Sequence, residues 1–434
     1  MKLTGLEDQR TEAVQVAETL GGSPLALTQA SSVMVKDELT FEEFLNRYDE
    51  GNDEIVQASL STTVYRQTRA AVFALDKLSP TGRRLLTFLS LIDSDISEED
   101  IIEPTLGEIK VPKFLSTASE YKQAREELTR AKLVLHNGTT KMLSVNIVVQ
   151  DAACLEMSSY EFVKIFRFAV RVLSRLWPVV GADAIRQDNR RWQQCAKLIQ
   201  HALRLRNRFS TQSVGVKAEL ALSMQFASLL NEVGWYLQER GQSLHAIDCF
   251  EIARDHLKKI MAHSENGTAG ARPTYNQQSQ LFNDLGDTNT SRALENNLDD
   301  ASLHFAETFL FPETYRDQGT SAADICDVDT SYDNYQKYNR LMLDQLGVGD
   351  HQTDPRLAIS YLELAVGHAF KQEYQESQEC SQMALKLCEW IPSPEMVMDL
   401  RTLAVANLAL ALLELGDASG ACNEALQALK EREN

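Results

Sequence analysis

Cysteine is the residue type in this chain best suited to covalent chemistry, and its seven copies (Cys154, Cys195, Cys249, Cys326, Cys380, Cys388, Cys422) are scattered. No CxxC pair occurs, so the sequence contains neither a dithiol redox centre nor a thiolate zinc pattern. An odd number of isolated thiols suits a reducing compartment, and cytoplasm is the expected location. The histidines lack metal-ligand spacing, and the abundant Asp and Glu residues single out no acid/base pair. GxxxxGK(S/T), GxGxxG, HExxH and GxSxG are all absent. No catalytic residue, metal site or resident cofactor is therefore expected, and the chemistry left is non-covalent. Its first candidate is Trp235, a large aromatic carrying an N–H, a residue type common at interface hot spots.

The element that must position Trp235 runs from Ala227 to Ile260. Leu229, Leu230, Val233 and Leu237 lie on one face of a 3.6-residue period, and Gly241-Gln242-Ser243 breaks the helix. A second helix follows with Ala246, Phe250 and Ala253 at i, i+4 and i+7. Gly234 and Ala246 are small where antiparallel helices must approach, and Phe250 is large enough to fill the groove between them. This unit of about 34 residues resembles the tetratricopeptide repeat. Worn copies read at Thr402–Asn434 (Gly416, Ala421, Ala428), at Ile359–Leu387 (Tyr361, Leu364, Ala365, Tyr374, Cys380, Ala384) and at Gln280–Phe309 (Leu285-Gly286, Ala301, Phe305). The geometry of the repeat's first helix turns Ser228, Asn231, Trp235 and Gln238 toward an inner groove. There they would bind a protein segment or another copy of the array; the alternative for Trp235 is a place in the core.

The N-terminal half carries a second resemblance. LGGSPLALTQA, followed by Phe41-Glu42-Glu43-Phe44-Leu45 and Tyr48, resembles the GLPLA segment of NB-ARC ATPases. These are the switch modules of NLR-type (STAND) proteins, including fungal ones joined to repeat arrays. The resemblance implies that Pro24 borders an adenine pocket, with Ser23 departing from a commonly apolar position. Helices through Val72 and Leu75, through Leu85, Leu86, Leu89 and Leu91, from Ser97-Glu98-Glu99-Asp100, and over Lys113–Ala131 precede a hairpin. Leu133-Val134-Leu135 and Met142-Leu143-Ser144-Val145 form its strands around Asn137-Gly138, a type I′ turn signal. Helices followed by one hairpin make a winged helix. In the family, the strand after the wing carries a histidine that senses nucleotide. Here Asn146 takes that position, an amide that hydrogen-bonds but does not titrate near neutral pH. Trp192, Cys195, Leu198 and His201 resemble the connector ahead of the repeats in fungal NB-ARC proteins, with His201 expected as a structural histidine at a helix contact.

The phosphate-binding loop of that family would lie upstream of Pro24, and the chain starts too late to hold it. ATP hydrolysis is not expected, and ADP or ATP would matter only with an NTPase domain supplied elsewhere. The end also reads as cut: Leu403, Ala406, Leu410 and Leu413 add an apolar side to the last repeat's first helix, with no polar capping helix after it.

A formal charge of −19 on 434 residues, with 44% hydrophobic and 24% charged residues, describes a soluble globular chain that repels phosphates. No uninterrupted run of about 20 apolar residues predicts a membrane span, and MKLTGLEDQRTE has no signal core. The basic run Arg186, Arg190, Arg191, Lys197, Arg204, Arg206 and Arg208 reads as a solvated face meeting an acidic neighbour. The polar segments 262–280 and 312–333 read as surface loops. The expected fold is mainly α, a winged-helix domain with one small β-hairpin followed by a TPR-like α-solenoid. Its parts are 1–60 (helical NB-ARC remnant), 61–155 (winged helix), 156–220 (connector) and 221–434 (repeats). The expected function is a non-enzymatic protein-interaction scaffold, by analogy in fungal self/non-self or stress signalling. The alternatives are a nucleotide-dependent STAND switch lacking its NTPase half and a winged-helix DNA-binding regulator. The acidic mixed helices disfavour the DNA reading.

Overall fold

A computed structural model describes residues 10–19, 24–36, 38–50, 75, 77–108, 117–178, 191–264, 306–347 and 353–433. The chain is mainly α-helical with a small three-stranded sheet, and it divides into two compact units. One comprises 1–176 with 196–220, the other 177–195 with 221–434.

In the first unit, α1 (Arg10–Thr19), α2 (Pro24–Lys36) and α3 (Phe41–Glu50) share a core of Val16, Ala30, Met34, Leu39, Phe41 and Phe44. A reciprocal capping box starts α3: Glu43 accepts from the Thr40 N–H at 2.8 Å, and the Glu43 N–H donates to Thr40 Oγ1 at 3.3 Å. Next come α4 (Pro80–Leu91), β1 (Asp95–Ser97), a π-helical turn (Glu98–Ile102) and α5 (Glu103–Glu108). Then follow α6 (Ala118–Arg130), β2 (Val134–Asn137), β3 (Met142–Val145), α7 (Ile147–Leu155) and α8 (Ser159–Leu176). Ser79 caps α4, with Pro80 at its first position, and Thr117 caps α6.

The sheet has the order β1-β3-β2, both pairs antiparallel, with Ile96 opposite Leu143 and Val134 opposite Val145. The expected hairpin thus has a third strand, too short at three residues to show a period in sequence. Its turn also differs from a type I′ turn. Asn137 Oδ1 accepts from the N–H groups of Thr139 and Thr140 at 3.0 and 3.2 Å, and Lys141 takes the left-handed conformation at φ 50°. An Asx turn opening a longer loop is what an Asn side chain stabilises here.

Helix α9 (Trp192–Ser210) begins in the second unit and ends in the first, and α10 (Val214–Leu220) belongs to the first. The second unit is a helical-repeat array. Its described hairpins are α11/α12 (Met224–Glu239, Ser243–Ser264), α13/α14 (Phe311–Asp324, Val328–Leu346), α15/α16 (Pro355–Phe370, Tyr374–Cys388) and α17/α18 (Pro394–Glu414, Ala418–Glu433). All four turn alike. A left-handed residue stands at Gly241, Cys326, Gln372 or Gly416, with φ 70°, 60°, 62° and 89°. The next N–H reaches back to close the helix: Gln242 to Leu237 O, Asp327 to Ala322 O, Glu373 to His368 O and Asp417 to Leu412 O, at 2.8–2.9 Å. Counted from that residue, Gly234, Gly319, Ala365 and Ala409 are the small positions of the first helices. Ala246, Ser331, Ser377 and Ala421 are those of the second.

The hairpin α13/α14 overturns the expectation of a surface loop over 312–333. Its helices pack through small and polar residues: Thr314, Ser321 and Ser331 are wholly buried, and Glu313, Asp317, Gln318 and Asn334 nearly so. A composition count could not distinguish such a core from a loop. The copy expected at 280–309 has its marker residues outside the described residues, as do Gly21-Gly22, Ser23, Val72, and 265–280 of the other expected loop; 262–264 end α12. Met396–Glu414 is long and apolar enough to cross a membrane by length and composition, at a mean hydropathy of 1.7. Asp399 and Arg401 interrupt it as an unbroken apolar run. In the array it is the first helix of the last described hairpin.

Candidate functional site: one face of the first helices

The turn register assigns equivalent positions along the array. Ser228, Asn231, Trp235 and Gln238 on α11 correspond to Glu313, Arg316, Thr320 and Ala323 on α13. They correspond in turn to Ile359, Leu362, Val366 and Ala369 on α15, and to Leu403, Ala406, Leu410 and Leu413 on α17. Being three, four and three residues apart, the four positions share one side of each helix.

On α11 this side is partly covered from within the chain. Asn231 is 2% exposed and Trp235 8%, while Ser228 and Gln238 are half-buried. Arg191 lies over the Trp235 ring with its guanidinium carbon 4.9 Å from the centroid. It also pairs with Glu232 at 2.9 Å and Glu239 at 3.1 Å, and the Trp192 indole donates to Glu239 at 2.9 Å. Burial alone would depress the Arg191 guanidinium, but the two carboxylates outweigh it and hold its pKa above the usual arginine range. Trp235 is thus largely buried, with Arg191 over its ring. The amide oxygens of Asn231 and Gln238 are buried without a hydrogen-bond partner among the described residues. Each such acceptor costs about 1–3 kcal/mol, so a donor arriving at this side would be rewarded.

On α13 the same side is ionic. Arg316 reaches Glu363 of α15 at 3.1 Å and Glu313 at 3.2 Å, and Glu313 accepts from the Tyr338 hydroxyl at 3.1 Å. Burial and the neighbouring Glu313 raise the Tyr338 pKa, so it stays a neutral donor. On α15 and α17 the side becomes apolar. On α15 Leu362 is 5% exposed with Ile359, Val366 and Ala369 half-buried, and only on α17 does it open, with Leu403, Leu410 and Leu413 56%, 48% and 55% exposed. From α11 to α17 the surface therefore passes from amide and indole through an ion-pair network to leucine. Such a surface offers hydrogen-bonding, ionic and apolar contacts in turn.

Pro24, Asn146 and His201 belong to the first unit. Pro24 opens α2. Asn146 is exposed and caps α7, its Oδ1 accepting from the Val148 N–H at 2.9 Å. His201 is 4% exposed and accepts from the Asp93 N–H at 3.2 Å on Nδ1. Burial presses its pKa down to about 4, against a smaller upward pull from Asp93 and Asp95. The basic run meets acids: Lys197 pairs with Asp100 at 2.8 Å, and Arg208 and Arg204 pair with Asp151 at 2.7 and 3.4 Å. Arg186 and Arg190 lie outside the described residues. None of the seven cysteines forms a disulfide, and burial pushes the Cys195 thiol up to about 12 and Cys380 and Cys388 to about 11, so these three are not poised nucleophiles.

Two features had no sequence signal. Glu98 is buried and accepts from Tyr121, from Arg125 at 2.7 Å and from His136 at 3.0 Å, tying the π-helical turn to α6 and β2. Burial opposes its ionisation, but these hydrogen bonds win and its pKa falls below the usual range. The second is a cavity of about 740 Å³ lined by α2 (Thr28, Ser31, Val35) and by Lys77, Arg130 and Lys132 from around α4 and α6. Glu127, on its wall, accepts from the Ser79 N–H at 2.7 Å and so occupies the start of α4.

Comparison with known proteins adds little to this geometry. A family model described as a domain of unknown function (DUF7779) matches residues 73–162, the segment holding the sheet and its helices. No curated protein matches the chain. Among solved structures, the chain is similar to a Signal Transduction ATPase with Numerous Domains (STAND) protein with a tetratricopeptide repeat sensor from Pyrococcus horikoshii. That match has 14% identity and a TM-score of 0.21, and it covers 94% of this chain and 72% of the other.

Proposed function

We propose that this chain is a non-enzymatic interaction scaffold of a signalling protein. Its TPR-like array captures a protein partner through the equivalent sides of its first helices, the inner groove of such an array. The observation that carries the reading is the register: four hairpins present the same four positions, and the last of them leaves three leucines in solvent. The helix–strand–helix–helix–hairpin order of 80–145, with β1 pairing to β3, supports reading that module as a winged helix. Its role is attachment and coupling rather than chemistry, and the NB-ARC-like, fungal-type signalling context belongs to this proposal by resemblance. The test uses the immobilised full chain. Ser228→Arg with Gln238→Arg, two half-buried positions, should remove captured partners while the thermal melt stays within a degree or two. An unchanged captured set would refute the reading.

A second reading, a nucleotide-responsive switch whose NTPase half is supplied elsewhere, draws on the 740 Å³ cavity. Helix α2 of the GLPLA-type segment borders it, and Lys77, Arg130 and Lys132 line it. Calorimetry with ADP and ATP on this chain decides it. Micromolar binding lost in Lys132→Glu favours the switch, and no heat favours the scaffold.

A further inference from the structure

At its α17 end the array's face exposes apolar residues, while Asn231 and Glu313 at its α11 and α13 end are buried, the reverse of ordinary burial preference. On α11 and α13 the indole and the acid–base groups are engaged within the chain, as Arg191 on Trp235 and Arg316 with Glu313 and Glu363 show. On α17 the same positions carry Leu403, Leu410 and Leu413, each about half exposed, with exposed Ala406 between them. Ile359, Val366 and Ala369 on α15 are half-buried at matching positions, so the apolar strip continues onto the neighbouring first helix. An acid stands at each end of the α17 strip: Asp399 one turn before Leu403, and Glu414 one turn after Leu410, both exposed.

We propose that this leucine strip docks a basic amphipathic helix of another protein. The inference rests on the reading of the face as the partner-binding surface and names its ligand class. The occupant's apolar side would carry aliphatic residues at helical spacing and take the leucines out of water. Lysine or arginine at both ends of that side would meet Asp399 and Glu414, and the net charge of −19 would steer a cation toward it. A second copy of this chain fits poorly. Laid parallel, two α17 helices set Asp399 against Asp399; laid antiparallel, Asp399 meets Glu414. An anionic lipid surface is repelled by the same charge.

The experiment uses the full chain and a fluorescein-labelled helical peptide of about 18 leucine and lysine residues, long enough for five turns. Its control is a peptide of identical composition in scrambled order. Fluorescence anisotropy should show saturable binding of the ordered peptide, weakened roughly tenfold or more by Leu410→Asp. Leu426→Asp, at an exposed leucine of α18 off this face, should leave binding unchanged, and circular dichroism should report both variants folded. Equal binding of the scrambled peptide, or no effect of Leu410→Asp, would overturn the proposal. So would sedimentation showing a dimer that Leu410→Asp dissolves, or cosedimentation with phosphatidylcholine vesicles containing about one-third phosphatidylserine. A natural partner that crosslinks from Gln238 and never from Leu410 would end this inference while leaving the scaffold reading intact.

Discussion

Arg191 stacks on Trp235 at 4.9 Å while pairing with Glu232 and Glu239, residues on the same helix three before and four after the indole. One buried cation thus satisfies two carboxylates and covers the aromatic of the first repeat. Removing it would strand both acids beside a bare ring.

Arg191→Ala should therefore cost about 3–5 kcal/mol, the range for breaking one side of a buried ion pair. Arg191→Lys should recover only part of this, because an ammonium cannot serve both acids and lie flat on the indole. Urea denaturation followed by tryptophan emission measures both. A loss under about 1 kcal/mol would place Arg191 among ordinary surface pairs.

A methyl group at Gly319 would sit 2.7 Å from Cδ1 and Cε1 of Tyr335, and one at Gly234 would sit 2.7 Å from Phe250. Gly319→Ala should thus destabilise by about 1–3 kcal/mol through overpacking. Tyr335→Leu combined with it should cost less than the sum of the two single changes, because the leucine removes the clash. Strict additivity in thermal melts would argue against the α13/α14 packing.

Gln372 holds φ 62° where Gly241 and Gly416 hold 70° and 89° in the equivalent turns. Only glycine takes that region without strain from a Cβ, so Gln372→Gly should be neutral or stabilise by up to about 1 kcal/mol. Gly416→Ala should lose about 1 kcal/mol. The same sign for both substitutions would break the equivalence of the turns.

His201 is buried neutral, its pKa pushed down from 6.5 to about 4. A depressed histidine contributes stability that is present above pH 6.5 and is lost as pH falls toward 4, because only the unfolded chain takes the proton there. Stability should drop by about 2 kcal/mol between pH 7.5 and 5 on this account, and His201→Gln should flatten that slope. Glu98, whose folded pKa is lowered, acts in a separate window, losing its contribution only as pH falls below the ordinary carboxylate range.

Where glycine marks the turn, at Gly241 and Gly416, the repeat was legible, since glycine there is both the conformational requirement and the visible letter. Cys326 and Gln372 adopt the same conformation without announcing it. The α13/α14 hairpin escaped because its core mixes buried hydroxyl, amide and carboxylate groups with Tyr335, Tyr338 and Met342. Yet Gly319 precedes Tyr335 by the interval separating Gly234 from Phe250, a signal in small and large residues that survives polar composition. Strand β1 has too few residues for a period. The four groove positions on α11 followed from repeat geometry, but the cover over Trp235 comes from Arg191, more than forty residues earlier, and no local pattern reports such a pairing. The Glu98 cluster and the α2 cavity are tertiary in the same sense.

The central claim, that one side of the first helices receives the partner, is tested most directly by site-specific photocrosslinking. Benzoylphenylalanine replaces Gln238 or Leu410 on that side, and Leu426 or Leu135 elsewhere. The account predicts a discrete partner adduct from position 238 or 410 and none from 426 or 135. Adducts confined to 426 or 135, with 238 and 410 silent, would contradict it.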